Sequence, residues 1–401
     1  MTVNLTKTAG QLIPELAPLQ RRCFMAGGVG AAVSLVGLLV NPVQFFQSYL
    51  MAYMLVLGLT LGSLALGMIH QLSGGAWGVV TRRLFGAATR VLPVLTVLFL
   101  PIAFGLHYLY EWSHPEVVAA DKILQAKQLY LNPTFFFVRA ALYFLVWNAL
   151  VYFLNKWSLE QDRTNDPRIA ARMQRLSGGG LLAYVLTVTF ASFDWLMSLD
   201  PHWFSTIYGI LIIGGQGLTA LAFLVTVFIW LSRRTPFDVI LVPQHFHDLG
   251  NLMLAFVMLW AYFSFSQYVI IYSGNLPEEI SWYLHRLTTG WRFVGLALIV
   301  FHFALPFLLL LSRRVKREPS LLIRIAIGVL CARLIDLFWL IAPAFHHDGL
   351  SVSWMDLVLP FTLLSLWLGA FFSQLSRRTI LPLHDPQFHE AIGHIIEREA
   401  H

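Results

Sequence analysis

The sequence predicts an all-α polytopic membrane protein of about ten transmembrane helices, and three observations carry that expectation. Of its 401 residues, 57% are hydrophobic and 12% charged, where a soluble domain carries about 25% charged residues. Apolar segments long enough to cross the hydrocarbon core recur along the whole chain. Lys and Arg crowd into alternate connections between those segments, while the opposite connections carry only Lys122, Lys127 and Arg286. This positive-inside asymmetry puts both termini in the cytoplasm of a cell with an inner membrane of helical proteins. The net charge of +6 therefore serves topology, and no nucleic-acid partner is expected.

The spans are predicted at about 24–40, 49–70, 91–110, 134–155, 179–199, 203–231, 247–272, 288–311, 321–343 and 353–375. A cytoplasmic segment (1–23) precedes them and a cytoplasmic tail (376–401) follows. Arg21-Arg22 faintly resembles a twin-arginine export signal, but no small-residue cleavage site follows, so span one is expected to stay uncleaved. Gly27, Gly28 and Gly30 in span one, and Gly214, Gly215 and Gly217 in span six, allow close helix packing. Asp200 before Pro201 reads as the N-cap of span six, and Ser353-Trp354-Met355-Asp356 as a capping box opening span ten. The links 111–133 and 277–287 have amphipathic stretches and are expected on the outer surface, with Glu278 and Glu279 exposed in a helix's first turn. Cys23 and Cys331 fall in predicted spans and are expected to be buried thiols.

A weak internal repeat divides the domain. Asp194 and Pro201 close span five with the separation that Asp336 and Pro343 show in span nine, and Arg139 and Arg292 sit near the outer ends of spans four and eight. Two four-helix bundles follow, spans two to five (about 49–199) and six to nine (about 203–343), with spans one and ten peripheral.

An acid inside an apolar span costs a few kcal/mol and marks a functional candidate. Asp194, Ser198 and His202 fall at intervals of one helical turn, a face along which a proton can step. Arg333 and Asp336 share a face and read equally well as a structural ion pair. His245, His247 and Asp248 cluster where span seven leaves the cytoplasm, with His70 on the same side, and imidazoles there can load protons or simply line a wetted interface. Tyr262, Ser264, Ser266, Gln267 and Tyr268 form a polar patch in span seven, able to hold water or a quinone carbonyl, or to act as interhelical glue. His107 and Glu111 end span three, and His302 stands alone in span eight; these, with Arg139 and Arg292, are secondary candidates. The sequence has no Cys-x-x-Cys-His, no four-cysteine spacing and no phosphate-binding loop. No metal centre of its own is therefore expected.

The hairpin FDWLMSLDPHWFSTIYG and the segment 247–286 (HDLGNLMLAFVMLWAYFSFSQYVIIYSGNLPEEISWYLHR) resemble the smaller NrfD-like membrane subunits (ActF) of bacterial alternative complex III, a quinol:cytochrome c (or other acceptor) oxidoreductase. The resemblance covers roughly 180–300 by motif and the remainder by helix plan, and relatives of the polysulfide-reductase type are built from two four-helix bundles. It implies a non-catalytic subunit carrying a transmembrane proton pathway. The implied partners are a larger NrfD-like quinol-binding membrane subunit, an iron–sulfur subunit, and multihaem and monohaem cytochrome c subunits, which hold the haems and clusters. Quinone is the one small-molecule ligand the resemblance allows this chain. The family motif falls on Asp194, Asp200 and His202, and on Ser264, Ser266 and Gln267. The residues alone leave two rival readings open, a secondary transporter of repeated bundles and a structural anchor whose charges are all satisfied pairs.

Overall fold

A computed structural model of the chain describes residues 13–164, 166–234 and 241–378. The first part of the N-terminal segment and nearly all of the tail lie outside the described residues. Among the described residues, ten helices are long and apolar enough to span a membrane: Glu15–Val40, Pro42–Ser73, Thr81–Phe104, Pro133–Thr164, Arg168–Leu199, Tyr208–Ser232, Pro243–Gly274, Trp291–Leu311, Pro319–Ala344 and Met355–Ser376. They are called spans one to ten below. The chain is a multi-pass, all-α membrane protein.

Spans two and six, the first helices of the two sequence units, are the most enclosed, 89% and 83% buried over their apolar windows. They pack directly on each other, because Gly62 on span two faces Gln216 on span six so closely that a Cβ would lie 2.1 Å from the Gln216 carbonyl oxygen. Such an approach needs glycine. Gln216 is in turn satisfied by the Tyr184 hydroxyl from span five, at 2.8 Å. Spans one and ten pair at the periphery through Gly27 against Leu366 and Gly30 against Thr362. The glycines in these two spans are thus packing devices, although Gly28 faces open space.

Proline shapes two spans in ways that matter for the interior. Span three breaks into short helices around Pro93 and Pro101, since proline cannot donate to the carbonyl four residues back. Carbonyls freed there are taken by tyrosines of span two, with Tyr49 donating to Leu98 O at 2.7 Å and Tyr53 to Leu95 O at 3.0 Å. In span eight, Pro306 is preceded by a stretch of π-helix, Leu298–Ala304, whose wider turn lets Leu305 N reach Val300 O. Pro306 would otherwise press on the carbonyl of His302, so the bulge lies where the proline requires it. The breaks fall in non-corresponding spans of the two units.

The two links expected on the outer surface fold back on their own chain. Residues 111–133 form short helices, including Pro115–Ala120 and Lys122–Lys127, that bury Val118 and Leu124. Residues Pro277–Thr288 form an amphipathic helix that buries Trp282 and Arg286, with Glu278 and Glu279 in its first turn. Between them sits the 200–203 turn. Lys127 Nζ donates to Pro201 O at 2.6 Å, His202 meets Asp121 at 2.5 Å, and Trp203 stacks on Trp282 with ring centroids 5.1 Å apart.

Three expectations are corrected. Asp200 does not cap span six: it follows a 3₁₀ turn (Met197–Leu199), and the helix starts only at Tyr208, because Pro201 and the docked Trp203 hold the intervening residues in an irregular turn. Cys331 is exposed and Cys23 partly so, both on helix faces turned outward rather than into the bundle. Arg292 is exposed and lies over the Phe293 ring rather than pairing with an acid. At 353–356 half of the expected capping box forms: Asp356 accepts from Ser353 N at 2.8 Å, while the Ser353 hydroxyl accepts from Met355 N at 3.3 Å rather than from Asp356 N.

Candidate functional site

The polar interior of the second unit is built on spans six to nine. Span nine carries Arg333 and Asp336 three residues apart, so both project to one side, and Arg333 Nη1 donates to Asp336 Oδ2. Room for the guanidinium comes from span six, where a Cβ on Gly215 would lie 2.4 Å from Arg333 Cζ. Gly214 and Gly217 likewise receive Phe263 and Phe256 of span seven. Trp260 of span seven donates from Nε1 to the same Asp336 oxygen at 3.1 Å. The Trp260 ring stands edge-on to His302, centroids 4.2 Å apart, at the π-bulge of span eight. Burial is nearly complete: His302 is 0%, Arg333 3% and Asp336 3% exposed.

This interior is not self-satisfied. Both ring nitrogens of His302 and both polar atoms of the Gln267 side chain are buried without a hydrogen-bond partner. Almost all buried polar groups in folded proteins find partners, so these four atoms mark room for water or a polar ligand group, as Tyr130 Oη and Trp195 Nε1 do in the first unit. Ser264 and Gln267 continue the helix face that starts at Trp260, and Gln267 lies about 10 Å further outward along it. Ser266 lies off that face, half-buried, and Tyr262 is exposed.

Outward of the centre, Tyr208 is buried on span six two turns from Gly215, and its ring stands edge-on to Trp203 of the hairpin, centroids 5.6 Å apart. Arg286 donates to the carbonyls of Trp339 and Leu340 at 3.3 and 3.4 Å and lies 3.4 Å over the Trp282 ring. Inward, the built path stops. The buried face of span seven between Trp260 and His245 is Leu249, Met253 and Val257, over about 22 Å of helix. His245 is buried, its Nδ1 accepting from Val242 N at 3.2 Å as part of the helix start. His247 lies 3.7 Å from Asp248, which accepts from Gln244 at 2.7 Å. These three residues do cluster, but their polar atoms are engaged locally.

In the first unit the acid and the arginine meet across helices. Arg139 of span four grips Asp194 of span five with Nε at 2.8 Å and Nη2 at 2.9 Å, and Tyr143 donates to Asp194 Oδ2 at 2.7 Å. The third guanidinium nitrogen reaches Tyr130 O at 2.9 Å, and the Tyr130 and Phe135 rings lie within 3.9 and 4.4 Å of the charge. The expected face Asp194–Ser198–His202 does not form. The α-helix ends at Trp195, Ser198 Oγ donates to the Asp194 backbone carbonyl at 2.5 Å, and His202 turns away to Asp121. His107 Nδ1 lies 3.2 Å from Ser113 Oγ, and Glu111 is exposed.

No protein-family model and no curated protein matches the sequence.

Two residues that complete these sites carry a local sequence signal. Tyr143 lies one turn after Arg139, and Trp260 one turn before Ser264, both at the spacing that shares a helix face. Asp356 also accepts from Ser48 at 2.5 Å and Gln44 at 3.1 Å, tying span ten to span two. That contact is long-range and had no local signature.

Proposed function

We propose that the chain is an integral membrane subunit of a quinol-oxidising respiratory complex, and that its second bundle holds a proton-carrying centre. The observation supporting this reading is the mid-membrane cluster of Arg333, Asp336, Trp260 and His302, with Gln267 beyond it, in which four buried polar atoms lack a protein partner. A hydrated carboxylate beside an arginine and an imidazole can take up and release a proton, because protonating Asp336 frees Arg333 and lets water bridge to His302. The outward route runs by Tyr208 to Arg286 and the hairpin, and the inward route requires water along span seven toward His245, His247 and Asp248. Quinone, through a carbonyl, is the ligand whose chemistry suits Gln267. The first bundle serves as scaffold, since each guanidinium nitrogen of Arg139 and both carboxylate oxygens of Asp194 are already bonded within the protein.

The motif resemblance of the hairpin and of 247–286 supplies the partners in this reading: a larger quinol-binding NrfD-like subunit, an iron–sulfur subunit and cytochrome c subunits in a bacterial inner membrane. Purification from native membranes in mild detergent, followed by haem staining and mass spectrometry, tests it. Co-purifying multihaem and iron–sulfur chains with quinol-dependent cytochrome reduction are expected. A chain that purifies alone and moves a solute in vesicles would replace this reading with a transporter. Within a purified complex, Asp336→Asn is expected to lower the proton-to-electron ratio or the turnover while the complex still assembles.

A further inference from the structure

The end of the second unit at which span seven begins holds a buried cation that no part of the proposed centre uses. Lys316 lies on a short helix, Arg313–Arg317, between spans eight and nine, and is 6% exposed. Gly250 of span seven makes room for its stem, since a Cβ there would lie 2.7 Å from Lys316 Cγ. A buried ammonium is ordinarily paired with a carboxylate. Lys316 Nζ instead donates to an amide, Asn251 Oδ1, at 2.7 Å. Asn251 follows His247 by one turn on span seven, and its Nδ2 lies 3.3 Å from His247 Nδ1.

Donors and acceptors along this row fix where its protons sit. An ammonium donates and cannot accept, so Asn251 turns its oxygen to Lys316 and its N–H to His247. His247 Nδ1 is then an acceptor, which leaves the neutral ring's own proton on Nε2. A proton added to Nδ1 would face the Asn251 N–H and forfeit that bond. The bond is remade only if the amide turns over. Lys316 permits this only after losing a proton, when its nitrogen gains a lone pair that can accept from Nδ2. Burial, then the charge of Arg313, pushes the Lys316 ammonium below its ordinary range, toward such a loss. Asp248, 3.7 Å from His247, draws a proton to the imidazole, while the neighbouring His245 is occupied by Val242 N. Arg314 and Arg317 of the short helix are exposed, and Arg82 and Arg83 of the first unit bond Gln161 and Asp162.

We infer that Lys316, Asn251 and His247 form a site for one proton, held at the lysine or at the histidine and switched by the Asn251 amide. In the first state Nζ carries the proton and the imidazole is neutral. In the second, Nζ has released its proton to water, the amide has turned over, and Nδ1 has taken a proton from water, so the site's proton count is unchanged. As an entrance to a proton path the site rests on the proposed function, whereas the switch rests on these contacts alone. Solid-state NMR of the full chain in phosphatidylcholine vesicles, with isotope-labelled histidine, reads which ring nitrogen is protonated, and His247→Gln identifies the signals. At neutral pH the neutral Nε2–H form is expected. Lys316→Met releases the amide and is expected to raise the Nδ1-protonated forms at least about threefold. Lys316→Arg, which restores a cation that only donates, is expected to keep the Nε2–H form. Asn251→Leu is expected to remove most of the response to Lys316→Met. A neutral Nδ1–H form in the unaltered chain would overturn the switch, as would a ratio that Lys316→Met leaves unchanged. A response surviving in full in Asn251→Leu would also overturn it, since charge repulsion alone would then be at work. If the NMR results are as expected but Asn251→Leu leaves the proton-to-electron ratio of a purified complex unchanged, the switch stands and the proposed path loses its entrance here.

Discussion

The two bundles each bury an acid with an arginine, and they use the pair in opposite ways. In the first, Arg139 and Asp194 meet across two helices in a two-pronged contact completed by Tyr143 and the Tyr130 carbonyl, so all three guanidinium nitrogens and both carboxylate oxygens are bonded. In the second, Arg333 and Asp336 come from one helix and touch through a single guanidinium nitrogen, near an imidazole that has no hydrogen-bond partner and with an unpartnered carboxamide further along span seven. The first pair lies within two turns of its spans' outer ends, and the second near the middle of the membrane. A saturated, shallow pair fixes helices. An unsaturated, deep one has capacity left for water, protons or a ligand.

The largest expected effect separates them. Asp194→Asn or Arg139→Gln leaves a buried charge stranded, which costs about 3–5 kcal/mol. Loss of thermal stability in detergent, with little folded protein recovered, is expected for either. A stable Asp194→Asn protein with altered proton coupling would instead make the first bundle part of the pathway and erase the contrast.

Gly215→Ala sharpens the same comparison at smaller cost. Its Cβ would collide with Arg333, and overpacking of this kind costs about 1–3 kcal/mol. Gly28→Ala, where nothing lies within 4 Å, is the control and is expected to leave the melting temperature unchanged or slightly raised. Removing the unpartnered imidazole should matter least to folding. His302→Phe is expected within about 1 kcal/mol of the parent, because replacing an unsatisfied buried polar group by an apolar one is nearly neutral. Turnover-linked proton uptake in the purified complex should nevertheless fall. A strongly destabilised His302→Phe would mean that the imidazole is structural after all.

Ten spans were legible because hydropathy over about 20 residues and alternating basic links are local properties. The acids and arginines were legible as residues out of place. What the sequence did not reveal was which charges meet. Asp194 and Arg139 are 55 residues apart and Trp260 and Asp336 are 76 apart, so their contacts depend on how helices rotate against each other. The repeat implied that Arg292 would play the part of Arg139, but span eight turns that residue outward, and Asp336 finds its arginine one turn earlier on its own helix. Helical periodicity also overran its domain at Ser198 and His202, since the α-helix had already ended at Trp195. Where the chain leaves the α-helix, as after Trp195, counting by turns stops being informative.

The outer clasp gives the mildest test and bears on whether the two units move independently. Asp121 caps the helix Lys122–Lys127 through Ile123 N at 2.7 Å and Leu124 N at 3.3 Å, and it holds His202 of the hairpin with its other oxygen. The contact with His202, aided by the two backbone donors, keeps the Asp121 carboxyl below its ordinary range. A carboxylate whose pKa is lowered by folding contributes stability above its unfolded value, about 3.9, and loses it only as the pH drops through the lower folded value. Hydrogen exchange at the amides of Ile123, Leu124, His202 and Trp203 is therefore expected to stay slow from neutral pH down to that ordinary carboxylate range and to quicken below it. Asp121→Asn should shift these amides toward fast exchange at neutral pH while leaving Gln267 and its neighbours unchanged. Exchange that also quickened around Gln267 would show that the hairpin clasp and the second bundle's centre open together, and the contrast between a fixed and a responsive unit would then extend to the surface that joins them.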